Sequence, residues 1–155
     1  MSLPALHPPA KINLFLAIRG KDETGYHEIE TVFAKIPNWT DELILEPAAA
    51  LQIEFIPSEG IDPKNNTLAK AIQVLEAHTG RTFHYKITVH KNIPPCSGLG
   101  GAASDAATLL LALNDAENLQ ISQKKLLELG AQVGMDVPFF LSGFDVALGT
   151  HYGKF

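Results

Sequence analysis

From Lys91 to Ala107 the chain reads KNIPPCSGLGGAASDAA, which sets Gly98, Gly100 and Gly101 among small residues directly ahead of a helix-forming segment. Glycine reaches positive φ and lets another molecule approach the backbone closely. In such a run, consecutive N–H groups can turn inward around an anion. The helix behind it adds N–H groups without intrahelical partners and the positive end of its dipole. Phosphate binding is the chemistry this pattern suits. A tight strand-to-helix connection, with glycines chosen for packing, accounts for the same glycines equally well. The spacing is neither G-x-x-x-x-G-K-[ST] nor G-x-G-x-x-G, so neither a P-loop nor a Rossmann dinucleotide site is expected. Cys96, the single cysteine, lies in the same stretch. It reads as a small loop-filling residue rather than a thiol nucleophile.

The elements that must position this loop follow from periodicity. Residues 10–18, AKINLFLAI, alternate and read as a strand, and so do residues 25–36, GYHEIETVFAKI. ELILEP and LQIEFIP are short strands separated by small residues, a pattern that predicts a hairpin. NNTLAKAIQVLEAHTG carries Leu68, Ile72 and Leu75 at helical spacing, with Gly80 as its stop. FHYKITVH (83–90) alternates as a strand and leads into the glycine run. ASDAATLLLALNDAE is a strongly apolar, buried helix, and SQKKLLELGAQVG opens a further helix with Ser122 as its cap. DVPFFLSG reads as a turn with a short element, and FDVALG as a last strand. Strands first, then helices interleaved with strands, predict an α+β fold with a mixed sheet and helices on one face.

Composition bounds the function. The chain has 155 residues, 46% of them hydrophobic, enough for one domain with a real core. Its net charge of −5 argues against general nucleic-acid binding, which needs a basic surface. The longest apolar runs, such as ATLLLAL, fall far short of the roughly 20 residues a bilayer span requires, so no membrane association is expected. MSLPALHPPAK lacks the basic-then-apolar order of a signal peptide. One cysteine cannot form an internal disulfide, and a cytoplasmic setting is the default. His7, His78, His84, His90 and His151 show no metal-ligand spacing such as H-E-x-x-H, and no protein metal site is expected.

PPCSGLGGAASDAA resembles the P-x-x-x-G-L-G-[GSA]-[GSA] signature of the GHMP kinases. Two more segments are similar to one group within that superfamily, the 4-diphosphocytidyl-2-C-methyl-D-erythritol kinases. PAKINLFLAIRGKDETGYHEIETVF resembles their P-A-K-[IL]-N-L-x-L followed by D-G-Y-H, with Thr24 where Asp is usual. GMDVPFF resembles their G-[AS]-D-[VI]-P-F-F. The resemblance implies the GHMP kinase N-terminal domain fold. It also implies an ATP-dependent transfer of phosphate to the 2-hydroxyl of 4-diphosphocytidyl-2-C-methyl-D-erythritol, in non-mevalonate isoprenoid biosynthesis. The runners-up are a GHMP kinase for another small alcohol such as homoserine, against which the Tyr-His segment argues, and a nucleotide-binding domain without catalysis.

The resemblance assigns roles residue by residue. Backbone N–H groups from Ser97 through Gly98, Leu99, Gly100, Gly101 and Ala102 to Ala103 would hold the β- and γ-phosphates, after Pro94. Ser104 keeps a hydroxyl where Ala103 has lost the one common in the family. Asn66 and Lys91 match positions near the adenine. Asp136 would take the proton of the attacking hydroxyl, its direction set by Pro138. Lys11 would balance that carboxylate and polarise the hydroxyl; otherwise Asp136 is a turn or cap aspartate and Lys11 a solvated strand lysine. Tyr26 and His27 would hold the cytidine, by stacking and by hydrogen bonding a pyrimidine edge. Asn13 shares a strand face with Lys11 by the two-residue period and would orient the methylerythritol hydroxyls. Magnesium is the nucleotide's partner, held largely by phosphates and water, with Ser104 and Asp105 as the side chains that could touch it.

The resembling kinases are about double this length, in two domains with the active site between them. The chain reads as the N-terminal ATP-binding domain over residues 1–155 with the second domain absent, so weak or no activity is expected. An apolar surface turned toward a lost domain would drive dimerisation or poor solubility. Asp136→Asn is expected to abolish most of the rate while sparing ATP binding. Gly100→Val is expected to weaken ATP binding by crowding the phosphate approach.

Overall fold

β1 (Pro9–Lys21) and β2 (His27–Thr40) form a long antiparallel pair, and β6 (Val146–Thr150) joins the other edge of β2. The structure, a computed structural model, describes residues 4–21, 27–62 and 64–150. A β-bulge between Asn13 and Phe15 shifts the alternation of β1. Before it, Lys11 and Asn13 share a face with their β2 partners Lys35 and Phe33; after it, Leu16 opposite Thr31 continues that face. The other face carries Ile12, Phe15, Val146 and Leu148, all solvent-exposed.

β2 runs almost directly into β3 (Glu42–Pro47), which lies in a second sheet with β4 (Gln52–Ile56) and β5 (Tyr85–His90). The strands thus divide between two three-stranded sheets, and the second is the mixed one. The predicted hairpin does not form. β5 lies between β3 and β4, antiparallel to the first and parallel to the second. Burial explains the order. Ile87, Thr88 and Val89 of β5 are buried in succession, which a central strand allows, whereas β4 alternates between exposed and half-buried as an edge does. A parallel pair also needs a long crossover, and α1 (Thr67–Thr79) lies in it.

α1 begins at the side-chain cap of Asn66 and ends, as its sequence predicts, at Gly80, in the left-handed conformation. α2 (Gly101–Ala116) starts inside the glycine run, two residues before the first residue of its predicted span. α3 (Gln123–Val133) is capped by Ser122, and α4 (Val137–Leu141) is the short element of DVPFFLSG. The core joins Leu43, Leu45, Ile87 and Val89 of the second sheet to Leu68, Ile72 and Leu75 of α1 and Leu109, Leu110 and Leu113 of α2. Phe33 of β2 stacks on Phe139 of α4, with ring centroids 5.1 Å apart, and ties the first sheet to the helices. The fold is the α+β arrangement expected. Among the described residues, no helix is long and apolar enough to cross a membrane.

Candidate active site

The glycine loop is fastened to β1 at the residue where charge is needed. The Lys11 amide donates to the Leu99 carbonyl at 2.8 Å. Gly100, the N-cap of α2, has φ 72°, a conformation that side chains with a Cβ resist. A Cβ on Gly100 would lie 2.8 Å from Cγ of Lys11 and 3.1 Å from the Phe140 ring. Only a bare backbone leaves room for the lysine stem to pass beneath the loop. Helix geometry gives the amides of Gly100, Gly101, Ala102 and Ala103 no intrahelical acceptor, and the glycine cap offers no side chain to take them. Within the loop, the Ser97 hydroxyl donates to the Pro94 carbonyl at 2.7 Å and accepts from the Leu99 amide at 3.3 Å. The Leu99 amide is therefore engaged in the turn, whereas the amides at the helix start have no acceptor within the helix.

Lys11 and Asp136 meet across 125 positions of sequence, the ammonium 3.2 Å from a carboxylate oxygen. The lysine side chain is 6% exposed and the aspartate 35%, so the pair opens to solvent from the carboxylate side. Asp136 occupies the N-cap position of α4 but makes no capping hydrogen bond with its side chain. Pro138 stands in the first turn of α4, where its fixed φ suits a helix start. The Lys11 ammonium also donates to Asn13 Oδ1 at 2.7 Å and lies 5.0 Å from the centre of the Phe33 ring. A cavity of about 760 Å³ is lined by Lys11, Asp136, the glycine loop, Asn66 and Phe55. Of the predicted residues it brings together Lys11, Asn66, Lys91, Pro94, Ser97, Gly98, Gly100, Gly101, Ala102, Ala103 and Asp136.

Lys91 sits under the loop rather than in the open. Its ammonium is bound by Asp41 and, at 2.8 Å, by Asp105, with side chains 5%, 0% and 2% exposed respectively. A Cβ on Gly101 would come within 3.2 Å of this ammonium. Burial works to lower the Lys91 pKa, but Asp105 and Asp41 overcome it and hold the group above its ordinary value. Burial pushes the Asp105 carboxyl up to about 7, with Lys91 opposing the shift and Asp41 adding to it. Asp105 Oδ1 and Ser104 Oγ are buried without hydrogen-bond partners. Asp41 also accepts the amides of Asn92 and Ile93 at 2.6 and 2.7 Å.

Asn13, Leu99 and Ser104 do not line the cavity, and Asn66, which does, has a structural duty of its own. Asn66 caps α1, accepting from the Ala69 amide at 2.9 Å and donating to the Asp62 carbonyl at 3.0 Å. Ser104 is fully buried in the first turns of α2. Tyr26 lies outside the described residues, and of His27 only the backbone is described, opening β2 opposite Lys21. Cys96 is exposed at the cavity rim. Sequence reasoning missed Thr31, Asp41 and Phe33. A threonine inside a strand carries no local sign of its partner, and Asp41 looks like any strand-end aspartate until Lys91 is brought to it.

Residues 66–144 match the family described as GHMP kinases N terminal domain. The chain is similar to the 4-diphosphocytidyl-2-C-methyl-D-erythritol kinase of Psychromonas ingrahamii, at 44% identity over 136 residues, covering 87% of this chain and 48% of that protein. The kinase of the same name from Chloroherpeton thalassium is 41% identical over 145 residues, covering 94% of this chain and 50% of that protein. A crystal structure of 4-(cytidine 5'-diphospho)-2C-methyl-D-erythritol kinase superposes with a TM-score of 0.80 at 34% identity, covering 97% of this chain and 53% of the other. A homoserine kinase from Cytophaga hutchinsonii, at 20% identity and a TM-score of 0.60 over 93% of this chain and 43% of its own, shares the fold. The chain spans about half the length of the curated relatives it matches. With a helix-start glycine cradle packed on the lysine of a Lys–Asp pair, and with this family match over half its length, the chain belongs to the GHMP kinases.

Proposed function

We propose that this chain is the N-terminal, ATP-binding part of a kinase that phosphorylates the 2-hydroxyl of 4-diphosphocytidyl-2-C-methyl-D-erythritol. The observation that carries the reading is the Lys11–Asp136 pair opening into the same cavity as the uncapped start of α2. The relatives that bear this name and share 41–44% of their aligned residues support the choice of substrate. In this reading the amides from Gly100 to Ala103 take the negative charge of the terminal phosphates. Asp136 receives the proton of the substrate hydroxyl as the oxygen attacks phosphorus. Lys11 balances that carboxylate and offers an N–H to the attacking oxygen. Asn13, hydrogen-bonded to Lys11, meets a neighbouring hydroxyl of the polyol. Tyr26 and His27 take the cytidine. Pro94 and Asn66 border the nucleotide, and Lys91 acts from beneath the loop.

Magnesium would enter with the nucleotide and supply charge neutralisation at the phosphates. Among the described residues no group of three or more His, Cys, Asp or Glu is gathered around a point, so phosphate oxygens and water fit best as most of its ligands. The exposed apolar sheet face of Ile12, Phe15, Val146 and Leu148 is the surface assigned to self-association in the same proposal, which concentration-dependent sedimentation tests. The test of function is direct. The chain is incubated with magnesium-ATP and the cytidine diphosphate polyol, product is read by mass spectrometry, and binding of a non-hydrolysable ATP analogue is read by calorimetry. Analogue binding and competition by cytidine nucleotides are expected, with at most weak phosphorylation of the polyol. Absence of analogue binding, or turnover of homoserine in place of the polyol, refutes it.

A further inference from the structure

A hydrogen-bond chain runs from the catalytic lysine into the first sheet, and its polarity has only one solution. The Lys11 ammonium can only donate, so the atom of Asn13 facing it at 2.7 Å is the amide oxygen. At the other end, the Phe15 carbonyl can only accept, so the single proton of the Thr31 hydroxyl is committed to it, also at 2.7 Å. Thr31 Oγ1 must then accept from Asn13 Nδ2, which lies 2.7 Å away. Each end independently forces the same orientation on the amide between them. Thr31 itself is 5% exposed. The bulge between Asn13 and Phe15 is what allows this geometry. It sets Leu16, rather than Phe15, opposite Thr31, and the carbonyl two residues beyond Asn13 becomes the acceptor.

We propose that Thr31 is a positioning residue for the phosphoryl acceptor. Its hydroxyl holds Asn13 so that one amide N–H, one lone pair of Oδ1 and the Lys11 ammonium are presented together to the substrate. A group that offers a donor and an acceptor beside an ammonium matches an alcohol carrying a second hydroxyl near the one that reacts. The inference rests on the kinase reading for its consequence, while the orientation of Asn13 can be measured without it.

Thr31→Val keeps the shape of the side chain and removes the hydroxyl; Thr31→Ser keeps the hydroxyl and removes the methyl. If the hydroxyl positions Asn13, Thr31→Val raises KM for the polyol about tenfold or more, with KM for ATP unchanged, because a partner of a part-buried amide is lost. Thr31→Ser then stays within about threefold of the parent. A purely packing role predicts the reverse order, since serine loses volume and valine does not. The second readout needs no substrate. In ¹⁵N-labelled protein, one Asn13 side-chain amide proton should exchange slowly in the parent and in Thr31→Ser, and rapidly in Thr31→Val. Equal exchange in the parent and Thr31→Val overturns the inference, as does a rapidly exchanging amide pair in the parent. A slow Asn13 proton in the parent and Thr31→Ser, lost in Thr31→Val, within a protein that binds no ATP analogue supports the hydrogen-bond chain and refutes the kinase reading instead.

Discussion

At the scale of single residues, the roles proposed for Asp136 and Gly100 make different predictions. Asp136→Asn keeps the shape of the side chain and removes its capacity to take a proton. In an active preparation it should lower kcat by two to four orders of magnitude, about the range of general-base contributions, while the dissociation constant of an ATP analogue stays nearly unchanged. Gly100 acts for a different reason than the glycine pattern suggested. Its missing side chain would point at the Lys11 stem and Phe140, into the protein, rather than toward an incoming phosphate. Gly100→Ala should therefore disturb Lys11 and cost about 1–2 kcal/mol from the positive φ alone. Chemical denaturation measures the stability loss, and kcat should fall along with ATP affinity. An unchanged kcat with weaker ATP binding would return the glycine to the simple role of phosphate approach.

At the scale of elements, α2 is the helix whose position decides the site, and it is held at both ends. Near its start, Lys91 links Asp105 to Asp41 at the junction of β2 and β3. At its end, Glu117 receives Arg81 at 2.5 Å and the Tyr85 hydroxyl at 2.6 Å. The hydrogen bond to Glu117, with burial, pushes the Tyr85 phenol up to about 12. The start is the more sensitive end, because one buried ammonium faces two buried carboxylates. Asp105 has an ordinary carboxylate value of 3.8 when exposed and about 7 in the fold. The folded state thus binds its proton more tightly than the unfolded chain. Its stabilising contribution is full below about pH 4 and is lost as pH rises through about 7. Asp105→Asn mimics the protonated group, keeps an acceptor for Lys91 and does not titrate. Urea melts at about pH 5 and pH 8 should show the variant more stable than the parent at the higher pH, by on the order of 2–4 kcal/mol, with the difference shrinking at the lower pH. A parent whose stability does not fall between these values would contradict the assignment.

At the scale of the whole molecule, the first sheet reaches the helices through aromatic contact as well as through the glycine loop. Phe139 is fully buried between Phe33 of β2 and Phe140, and Lys35 lies 5.7 Å from the centre of its ring. Phe139→Ala should cost about 3–5 kcal/mol through the lost transfer energy and the cavity it opens. For a domain of this size that is a fall in Tm of roughly 6–20 °C. Because Asp136 is the residue before α4, the same variant should reduce catalysis more than it reduces ATP binding. A Tm within a degree or so of the parent would show that the two layers are joined elsewhere.

What the residues alone determined is local. The glycine run and the helix start behind it are contiguous, so pattern and spacing marked them as a candidate cradle, while the choice of phosphate binding over packing came from the family signature. The cap of α3 and the stop at Gly80 were visible for the same reason, since each is set within a few residues. Periodicity also placed Asn13 beside Lys11, two positions apart on one face. Tertiary structure decided everything that depends on which strand lies next to which. The hairpin expected from ELILEP and LQIEFIP gave way to β5, because the strand buried along its length belongs in the middle of a sheet. The pairing of Lys11 with Asp136 rests on α4 packing against β2, a contact no spacing in the chain encodes. Lys91 read as a residue near the adenine, and its ion pairs with Asp41 and Asp105 appear only in the fold. Thr31 and Asp41 stayed unnoticed because a hydrogen bond or ion pair between distant segments has no period. Its partners are chosen by the fold's topology, and the local sequence carries no trace of that choice.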